Sequence, residues 1–408
     1  VVEPSPPPPP PPEDYADESE DEVDEPEPKR ARDDAIRAET APRRADASQL
    51  LAAKGYAYVR GRTADGEPSD DARTERLAQI ADETQGFQWK GQEDYDAVAE
   101  ACALYCRERL VVSCGLMEVP LRDDGARIWA SPRDYDDTKT APLVFLVCGS
   151  APGGSAGVWG RSLCVNATLG EGGMIDYVAR AREALGANVV VADPNCSEEA
   201  GDDVPGSECA HLHLASLYAA AVAPRERRPV LFVAHSYGAS AVAHLFKVVP
   251  ECRARVCAVA FTDGCALHGD ILEEAVPTHD ARLAAKLEAI RALAPAAFKA
   301  DAAAAAALRA VARNFVASEL PSGTPVAGRE FDAVSAGHAS HPATTHAATD
   351  AVFAFLGEKL DAARRRLASE GGFWGADEVS ETSSEERSAP PPPPPGEYEP
   401  SHAGGGYA

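Results

Sequence analysis

The sequence predicts an α/β fold in which a mostly parallel, twisted sheet carries helices on both faces. Continuous apolar runs at 142–147, 188–192 and 230–233 are typical of strands buried on both faces of a sheet. Helical patterns separate these runs, and strands that alternate with helices pair in parallel. Groups that carry chemistry then belong at the carboxyl ends of the strands.

The other elements follow from local periodicity and turn residues. We expect a strand at 55–59 and a hairpin of 116–121 with 126–130 at the edge of the sheet, and a further strand at 255–262 that ends at Asp263. Ala-rich segments predict a helical insert over about 267–328, before a last strand at 330–335. The predicted helices are 92–113, 172–185, 207–222, the segment after 238, 280–293, 301–313 and 345–369.

The turn after the strand at 230–233 has a serine at its centre, in Ala234-His-Ser-Tyr-Gly238. Strand, sharp turn and helix form the nucleophile elbow of α/β-hydrolases, which exposes the serine Oγ above the sheet. Strand and helix pass closely there, so small residues are needed on each side of Ser236, and Ala234 and Gly238 meet that need. The N–H of Tyr237 opens the helix and can face an oxyanion. The alternative is an ordinary strand with Ser236 as an N-cap, which we disfavour because all three features agree.

The strand at 142–147 runs into a Gly-rich loop, Cys148-Gly-Ser-Ala-Pro-Gly-Gly154. In α/β-hydrolases the loop after this strand donates a second backbone N–H to the oxyanion. Phosphate binding is the alternative for such a loop. The loop lacks both Gly-x-x-x-x-Gly-Lys-Ser/Thr and Gly-x-Gly-x-x-Gly, so we discount nucleotide binding.

Ser236, Asp263 and a later histidine follow the chain order Ser, Asp, His of α/β-hydrolase triads. A serine hydroxyl is a poor nucleophile until an imidazole takes its proton, and the imidazole needs a carboxylate to hold its tautomer. Each residue alone has an ordinary interpretation, as a turn residue, an N-cap or a loop histidine. Together they predict a serine nucleophile and its base, with the histidine left open among His338, His341 and His346.

Composition separates the chain of 408 residues into two tails and one domain. Proline runs and acidic blocks predict disorder over 1–47 and 371–408, which leaves a domain at 48–370. The net charge of −26 argues against direct nucleic-acid binding, though a local basic groove stays open. Ten cysteines without Cys-x-x-Cys predict free thiols in a reducing compartment and no metal site. We expect no cofactor, no secretion signal and no membrane span.

Two small basic clusters interrupt the acidic N-terminal arm: Lys29, Arg30 and Arg32, and then Arg43 and Arg44. Their spacing resembles a bipartite nuclear-import signal. Solvated charges that relieve the acidic run explain them equally well, so both interpretations stay open.

Several of these motifs resemble the Arb-two domain family, the Argonaute-binding cotranscriptional regulators that include the animal family-with-sequence-similarity-172 proteins. Phe232-Val-Ala-His-Ser-Tyr-Gly238 matches the family's elbow, and Val259-Ala-Phe-Thr-Asp263 resembles its Val-Ala-Leu-Thr-Asp. Val334-Ser-Ala-Gly337 with His341 resembles its Val-Ser-Ala-Gly and following histidine, which favours His341 over the other two candidates. Asp193-Pro-Asn195 resembles its Asn-Pro-Asn, and Trp159-Gly-Arg-Ser-Leu163 its Trp-Ala-Arg-Arg-Leu.

The resemblance covers about 48–360 and implies an α/β-hydrolase fold with a catalytic set of Ser236, Asp263 and His341. Backbone N–H groups of Ser150 and Tyr237 would form the oxyanion hole. Two departures are visible: Cys148-Gly-Ser-Ala151 stands where the family has His-Gly-Ser-Gly, and the insert shows no family pattern.

The resemblance also implies a nuclear protein, with a cytoplasmic pool allowed, that acts in small-RNA-linked heterochromatin silencing or RNA processing through Argonaute-type or chromatin partners. It does not establish hydrolysis, because some members lack the serine. A partner-binding scaffold and a serine hydrolase acting on an ester, thioester or amide are therefore the two hypotheses. Direct small-RNA binding is a third, which the acidity disfavours.

Overall fold

The computed structural model describes residues 46–63, 65–121, 125–132, 141–151, 154–196, 198–199, 202–222, 228–264, 302–327 and 331–369. Residues 1–45 and 370–408, which include nearly all of both predicted tails and the two basic clusters, lie outside these ranges. Residues 265–301, which include most of the predicted insert and the helix expected at 280–293, also lie outside them.

The structure places short strands between helices along most of the described chain. The strands are β1 Tyr56–Val59, β2 Arg76–Gln79, β3 Met117–Pro120, β4 Arg127–Ala130, β5 Leu143–Val147, β6 Asn188–Val191, β7 Glu198–Glu199, β8 Asp202–Asp203, β9 Val230–His235, β10 Val256–Thr262, β11 Ala312–Val316 and β12 Ala333–Ser335. The α-helices are α1 Ala47–Ala53, α2 Gln92–Val112, α3 Arg161–Asn166, α4 Leu169–Gly172, α5 Ile175–Leu185, α6 Ala210–Ala221, α7 Gly238–Val248, α8 Cys252–Arg255, α9 Ala302–Val311, α10 Thr344–Ala347 and α11 Thr349–Ser369.

Eight of the strands form one sheet in the order β12-β11-β10-β9-β5-β6-β4-β3. The six strands from β12 to β6 are parallel, whereas β4 is antiparallel to β6 and β3 is antiparallel to β4. The order reverses beside β5, because β6 lies on one side of it and β9 on the other. This is the α/β-hydrolase fold, and the prediction of a mostly parallel sheet between helices is confirmed.

Alternating side chains of the central strands build two cores, one on each face of the sheet. In β9, Leu231 and Val233 join the core that also contains side chains of α2, α5 and α11. Phe232 and Ala234 join the opposite core, which contains side chains of α6, α7 and α9. Every residue of β5, β9 and β10 is buried, which explains why these strands are continuous apolar runs.

The structure corrects two expectations. β1 pairs with β2 in a sheet of its own, so only the hairpin of β3 and β4 extends the edge of the main sheet, as predicted for it. Residues 312–316, within the range expected as a helical insert, form strand β11 between β10 and β12. The Ala-rich pattern does end as helix α9, but pairing with two neighbouring strands overrides local helix propensity from Ala312 onward.

Candidate active site

Ser236 lies in the tight turn between β9 and α7, and its backbone is held in a rare conformation. Its φ is 52°, and Asp263, directly after β10, has φ 49°. Within the ranges the structure describes, these are the two non-glycine residues with positive φ. Left-handed backbone costs such a residue about 1–2 kcal/mol. It persists where the surroundings enforce it, which is typical of functional sites.

The elbow requires a glycine at 238 and a small residue at 234, and the structure shows why. A Cβ on Gly238 would lie 2.5 Å from the Cys148 carbonyl oxygen and 2.9 Å from that of Val147. Both are backbone atoms of the adjacent strand end, so they cannot rotate away. Ala234 is fully buried in the core beneath α7.

We expect Gly238→Ala to lower the free energy of unfolding by about 1–3 kcal/mol, because the new methyl overpacks against backbone. Gly357→Ala in α11 is the matched control. A Cβ there would have its nearest neighbour, Leu185 Cδ2, at 3.9 Å. That control should stabilise the protein by about 0.5–1 kcal/mol through helix propensity. Urea titration of both variants checks this, and equal effects would contradict the packing argument.

The three residues of the predicted triad meet at the carboxyl edge of the sheet. His341 Nε2 lies 3.0 Å from Ser236 Oγ, and His341 Nδ1 lies 2.6 Å from Asp263 Oδ2. His341 begins a 3₁₀ turn after β12, so three different strand ends supply the set. The His341 side chain is 48% exposed. Within the described part of the chain, a small molecule could therefore reach Ser236 beside it.

The hydrogen bonds determine how the protons are arranged. Burial opposes ionisation of Asp263, but hydrogen bonds from His341 and from the Ala317 N–H outweigh it, and its pKa is lowered from the ordinary value. An ionised carboxylate only accepts, so His341 Nδ1 donates to it. In neutral His341, Nε2 is then unprotonated and accepts the Ser236 hydroxyl proton, as a general base must.

The other two candidate histidines lie elsewhere. His338 is exposed, and its Nδ1 accepts a hydrogen bond from the Ser340 N–H at 3.0 Å. His346 is exposed on α10. The structure therefore brings His341 alone of the three to Ser236 and Asp263.

A buried histidine beneath the triad escaped the sequence analysis. The ring of His235 lies 4.8 Å from that of His341, centroid to centroid. His235 Nδ1 lies 2.9 Å from the Thr262 carbonyl oxygen, which only accepts, so Nδ1 carries the proton. Burial, with a smaller effect of His341, lowers the pKa of His235 to about 4. His235 is therefore a neutral ring that packs against the ring of His341. In the sequence, only its place next to Ser236 in the elbow could have indicated that it lies near the triad.

The predicted oxyanion loop lies against the nucleophile. A Cβ on Gly149 would be 2.8 Å from Ser236 Cβ, so the loop approaches as closely as a glycine permits. Ser150 follows directly, and Tyr237 follows Ser236 at the start of α7. Of the two backbone N–H groups predicted for the oxyanion, that of Tyr237 belongs to the next residue in sequence after Ser236. That of Ser150 belongs to the residue after Gly149, which lies against Ser236 in space.

A turn after β6 anchors this loop. Asp193, which is buried, accepts hydrogen bonds at Oδ1 from the N–H groups of Ser155 and Ala156 at 2.8 and 3.2 Å. The Asp193 N–H donates in turn to His213 Nε2 at 3.1 Å. His213 Nδ1 then donates to Ser207 Oγ at 2.9 Å. The sequence places the motif at 193–195 at a strand end, but it does not predict that these residues hold the loop.

Four buried histidines should make the fold sensitive to acid. Burial lowers the pKa of His211 to about 3 and those of His213, His235 and His244 to about 4. The unfolded chain binds these protons below about pH 6.5 and the folded chain does not until about pH 4. Stability is therefore greatest above that window and falls as the pH drops through it.

Within this window, each such histidine should lower the free energy of unfolding by up to about 1.4 kcal/mol per pH unit. Urea titrations at about pH 7, 6 and 5 should show the fall. His213→Gln can keep both hydrogen bonds but does not titrate. In this variant the slope of unfolding free energy against pH should fall by the amount that one proton contributes. Parallel pH curves for this variant and the wild type would contradict the assignment.

Two other kinds of site are absent from the part of the chain that the structure describes. No group of three or more His, Cys, Asp or Glu side chains there is arranged to hold a metal ion. Among the same residues, no helix combines the length and hydrophobicity that crossing a membrane requires.

Comparison with known proteins finds a relative in sequence. The chain is 32% identical over 169 residues to a FAM172 family protein homolog of Caenorhabditis elegans, a match that covers 40% of this chain and 52% of the relative. The match spans about half the length of that relative. The resemblance inferred from short motifs is thus confirmed, although no family model matches the chain.

The chain also has structural neighbours among solved proteins. They include a histone deacetylase from Saccharomyces cerevisiae, with a TM-score of 0.38, 10% identity and coverage of 64% of this chain and 96% of that one. A proline iminopeptidase from Mycobacterium smegmatis has a TM-score of 0.33, 13% identity and coverage of 62% and 99%. A haloalkane dehalogenase loop variant from Bradyrhizobium elkanii has a TM-score of 0.36, 11% identity and coverage of 62% and 99%. These scores are low, so the fold assignment rests on strand order and the elbow.

Proposed function

We propose that this chain is a serine hydrolase that cleaves an ester, thioester or amide bond of a small acyl substrate. The observation that supports this is the continuous chain of hydrogen bonds from Asp263 through His341 to Ser236 Oγ. A protein that used the fold only as a scaffold would have no need of all three groups in this order. The left-handed backbone at both Ser236 and Asp263 adds support, because strain of that kind clusters at active sites.

In the proposed first step, Ser236 Oγ bonds to the acyl carbon while its proton passes to His341 Nε2. The carbonyl electron pair moves to oxygen, and the N–H groups of Ser150 and Tyr237 stabilise the resulting oxyanion. Asp263 stabilises the imidazolium that forms. When the tetrahedral intermediate collapses, its bond to the leaving group breaks and the leaving group takes the proton from His341.

Water completes the cycle at the acyl-enzyme. His341 accepts a proton from water as its oxygen bonds to the acyl carbon, and it returns that proton to Ser236 Oγ when the acid departs. The neutral His235 beneath the ring adds no charge that would oppose imidazolium formation. Every proton in this scheme moves among the chain's own groups, the substrate and water.

A fluorophosphonate probe tests the proposal on the full chain. The wild-type protein should be labelled, and mass spectrometry should place the adduct on the peptide that contains Ser236. Prior incubation with the probe should also abolish hydrolysis of any member of an acyl ester, thioester and amide panel that the protein turns over. Absence of labelling and of turnover across the panel would refute hydrolysis.

As a second function we propose partner binding in small-RNA-linked silencing or RNA processing, in the nucleus with a cytoplasmic pool. Homology with a FAM172 family protein supports this, together with the family resemblance of the motifs. The acidic and Pro-rich sequences outside the domain are suitable contact segments for Argonaute-type or chromatin proteins.

Affinity purification from nuclear extract separates the two functions. Binding of an Argonaute-type or chromatin protein that is equal for wild type and Ser236→Ala would support a scaffold role independent of hydrolysis. If neither form binds such a partner, or if the protein is excluded from nuclei, the silencing role fails. Retention of a partner by wild type alone would instead tie binding to the serine.

A further inference from the structure

The side chain of Asn195 touches the oxyanion loop on both sides of Ser150. Its Nδ2 donates to the Gly149 carbonyl oxygen at 2.8 Å, and its Oδ1 accepts from the Ala151 N–H at 3.3 Å. The same Nδ2 also contacts Ser155 Oγ, further along the loop. One half-buried amide therefore spans the turn that carries the predicted oxyanion donor.

The geometry of a peptide bond connects Asn195 to that donor. The Gly149 carbonyl and the Ser150 N–H belong to one planar trans peptide, in which C=O and N–H point in opposite directions. In the sheet, β5 lies between β6 and β9. The Gly149 carbonyl faces Asn195, which follows β6, so the Ser150 N–H points to the opposite side, where Ser236 follows β9. A hydrogen bond accepted by the carbonyl also polarises the peptide and strengthens its N–H as a donor.

We propose that Asn195 is a positioning residue that orients and polarises the Gly149–Ser150 peptide toward the oxyanion. It acts through the loop backbone and does not touch the substrate. Such a constraint is needed because Gly149, which precedes this peptide, has no Cβ to limit rotation of the peptide plane. Asp193 holds the C-terminal end of the loop at Ser155 and Ala156. The orientation of the Gly149–Ser150 peptide, at the N-terminal end, then depends on Asn195.

The inference rests on the proposed hydrolysis, and its test uses an ester that the wild-type protein turns over. In Asn195→Asp the carboxylate cannot donate to the Gly149 carbonyl and repels it. We expect kcat to fall about 10²-fold, as for loss of one oxyanion donor, with KM changed by less than about twofold. Asn195→Ala should behave in the same way. The control is Asn166→Asp, the same chemical change at an exposed residue whose amide contacts Ser162 within α3, and it should leave both constants unchanged.

A comparison of an ester with its thionoester separates positioning from mere structural damage. Sulfur accepts hydrogen bonds weakly, so loss of an oriented donor should slow the oxygen substrate far more than the sulfur one. The ratio of the two rates should therefore fall about tenfold or more in Asn195→Asp. Equal slowing of both substrates, or no slowing, would overturn the role of Asn195 while hydrolysis stands. A wild-type protein that neither turns over esters nor reacts with the probe would overturn both.

Discussion

Ser236→Ala is expected to lower kcat by about 10⁴- to 10⁶-fold and to abolish labelling by a fluorophosphonate. The substitution removes the oxygen that would bond to the acyl carbon, and no other hydroxyl in the described structure contacts His341 Nε2. Only the oxyanion N–H groups and substrate binding would then remain to accelerate attack by water. Measurement of kcat and labelling on the same preparation checks both expectations.

The fold should survive this change, because Ser236 is only partly buried and the substitution removes a single oxygen atom. The midpoint of thermal unfolding should move by no more than a few degrees, roughly the effect of a 1 kcal/mol change. Ser369→Ala, at the exposed end of α11, is the matched control and should keep full activity. Hydrolysis at the wild-type rate by Ser236→Ala would mean that another group, or another protein in the preparation, does the chemistry.

Asp263→Asn should lower kcat by about 10⁴-fold, although the side chain keeps its shape. The asparagine can still accept from the Ala317 N–H, but it can present NH₂ to His341. His341 Nδ1 would then have to accept, so Nε2 would carry the proton. A protonated Nε2 cannot accept the Ser236 proton, and the general base is lost although all three residues stay in place.

Asp350→Asn is the control for this prediction. Asp350 lies exposed on α11, where it forms an ion pair with Arg180. Labelling by the fluorophosphonate should slow in Asp263→Asn in parallel with kcat. The double variant with Ser236→Ala should lose no more activity than Ser236→Ala alone, because residues of one catalytic unit are not additive. Turnover within about tenfold of wild type in Asp263→Asn would contradict the role assigned to the carboxylate.

The lowered pKa of Asp263 adds a consequence for stability. Its folded-state pKa lies below the unfolded value, so its contribution is present above the unfolded pKa and is lost as the pH falls through the folded one. That window lies below the one set by the buried histidines. The Asp263→Asn variant should thus show a smaller loss of stability than wild type at the acid end of a urea series.

Much of the site could be predicted because its signals are local. The elbow needs an apolar strand, small residues on both sides of a serine and a helix, all within about twenty residues. The close approach of Gly238 to the Cys148 carbonyl is the physical reason for that pattern. Asp263 could be named because it follows a buried strand directly, and strand ends in a parallel sheet share one edge.

The errors arose where pairing or packing decided the outcome. Residues 312–316 follow an Ala-rich helix and look like its continuation, yet their backbone pairs with β10 and β12. β1 has the pattern of an edge strand, but its partner is β2, which had no strong signal of its own. A buried neutral His235 resembles any other strand residue in sequence, and only its contact with the His341 ring gives it a role.

The sequence by itself determined the fold class, the nucleophile elbow and the chain order of serine, aspartate and histidine. These depend on side-chain periodicity and steric limits among residues close in the chain. The family resemblance favoured His341 among the three histidines. Only the tertiary structure decided that its Nε2 lies 3.0 Å from Ser236 Oγ, and that Asn195 contacts the Gly149–Ser150 peptide. Those contacts join residues 105 and 46 positions apart. Strand order and loop path set such distances, and neither is encoded within any short stretch of sequence.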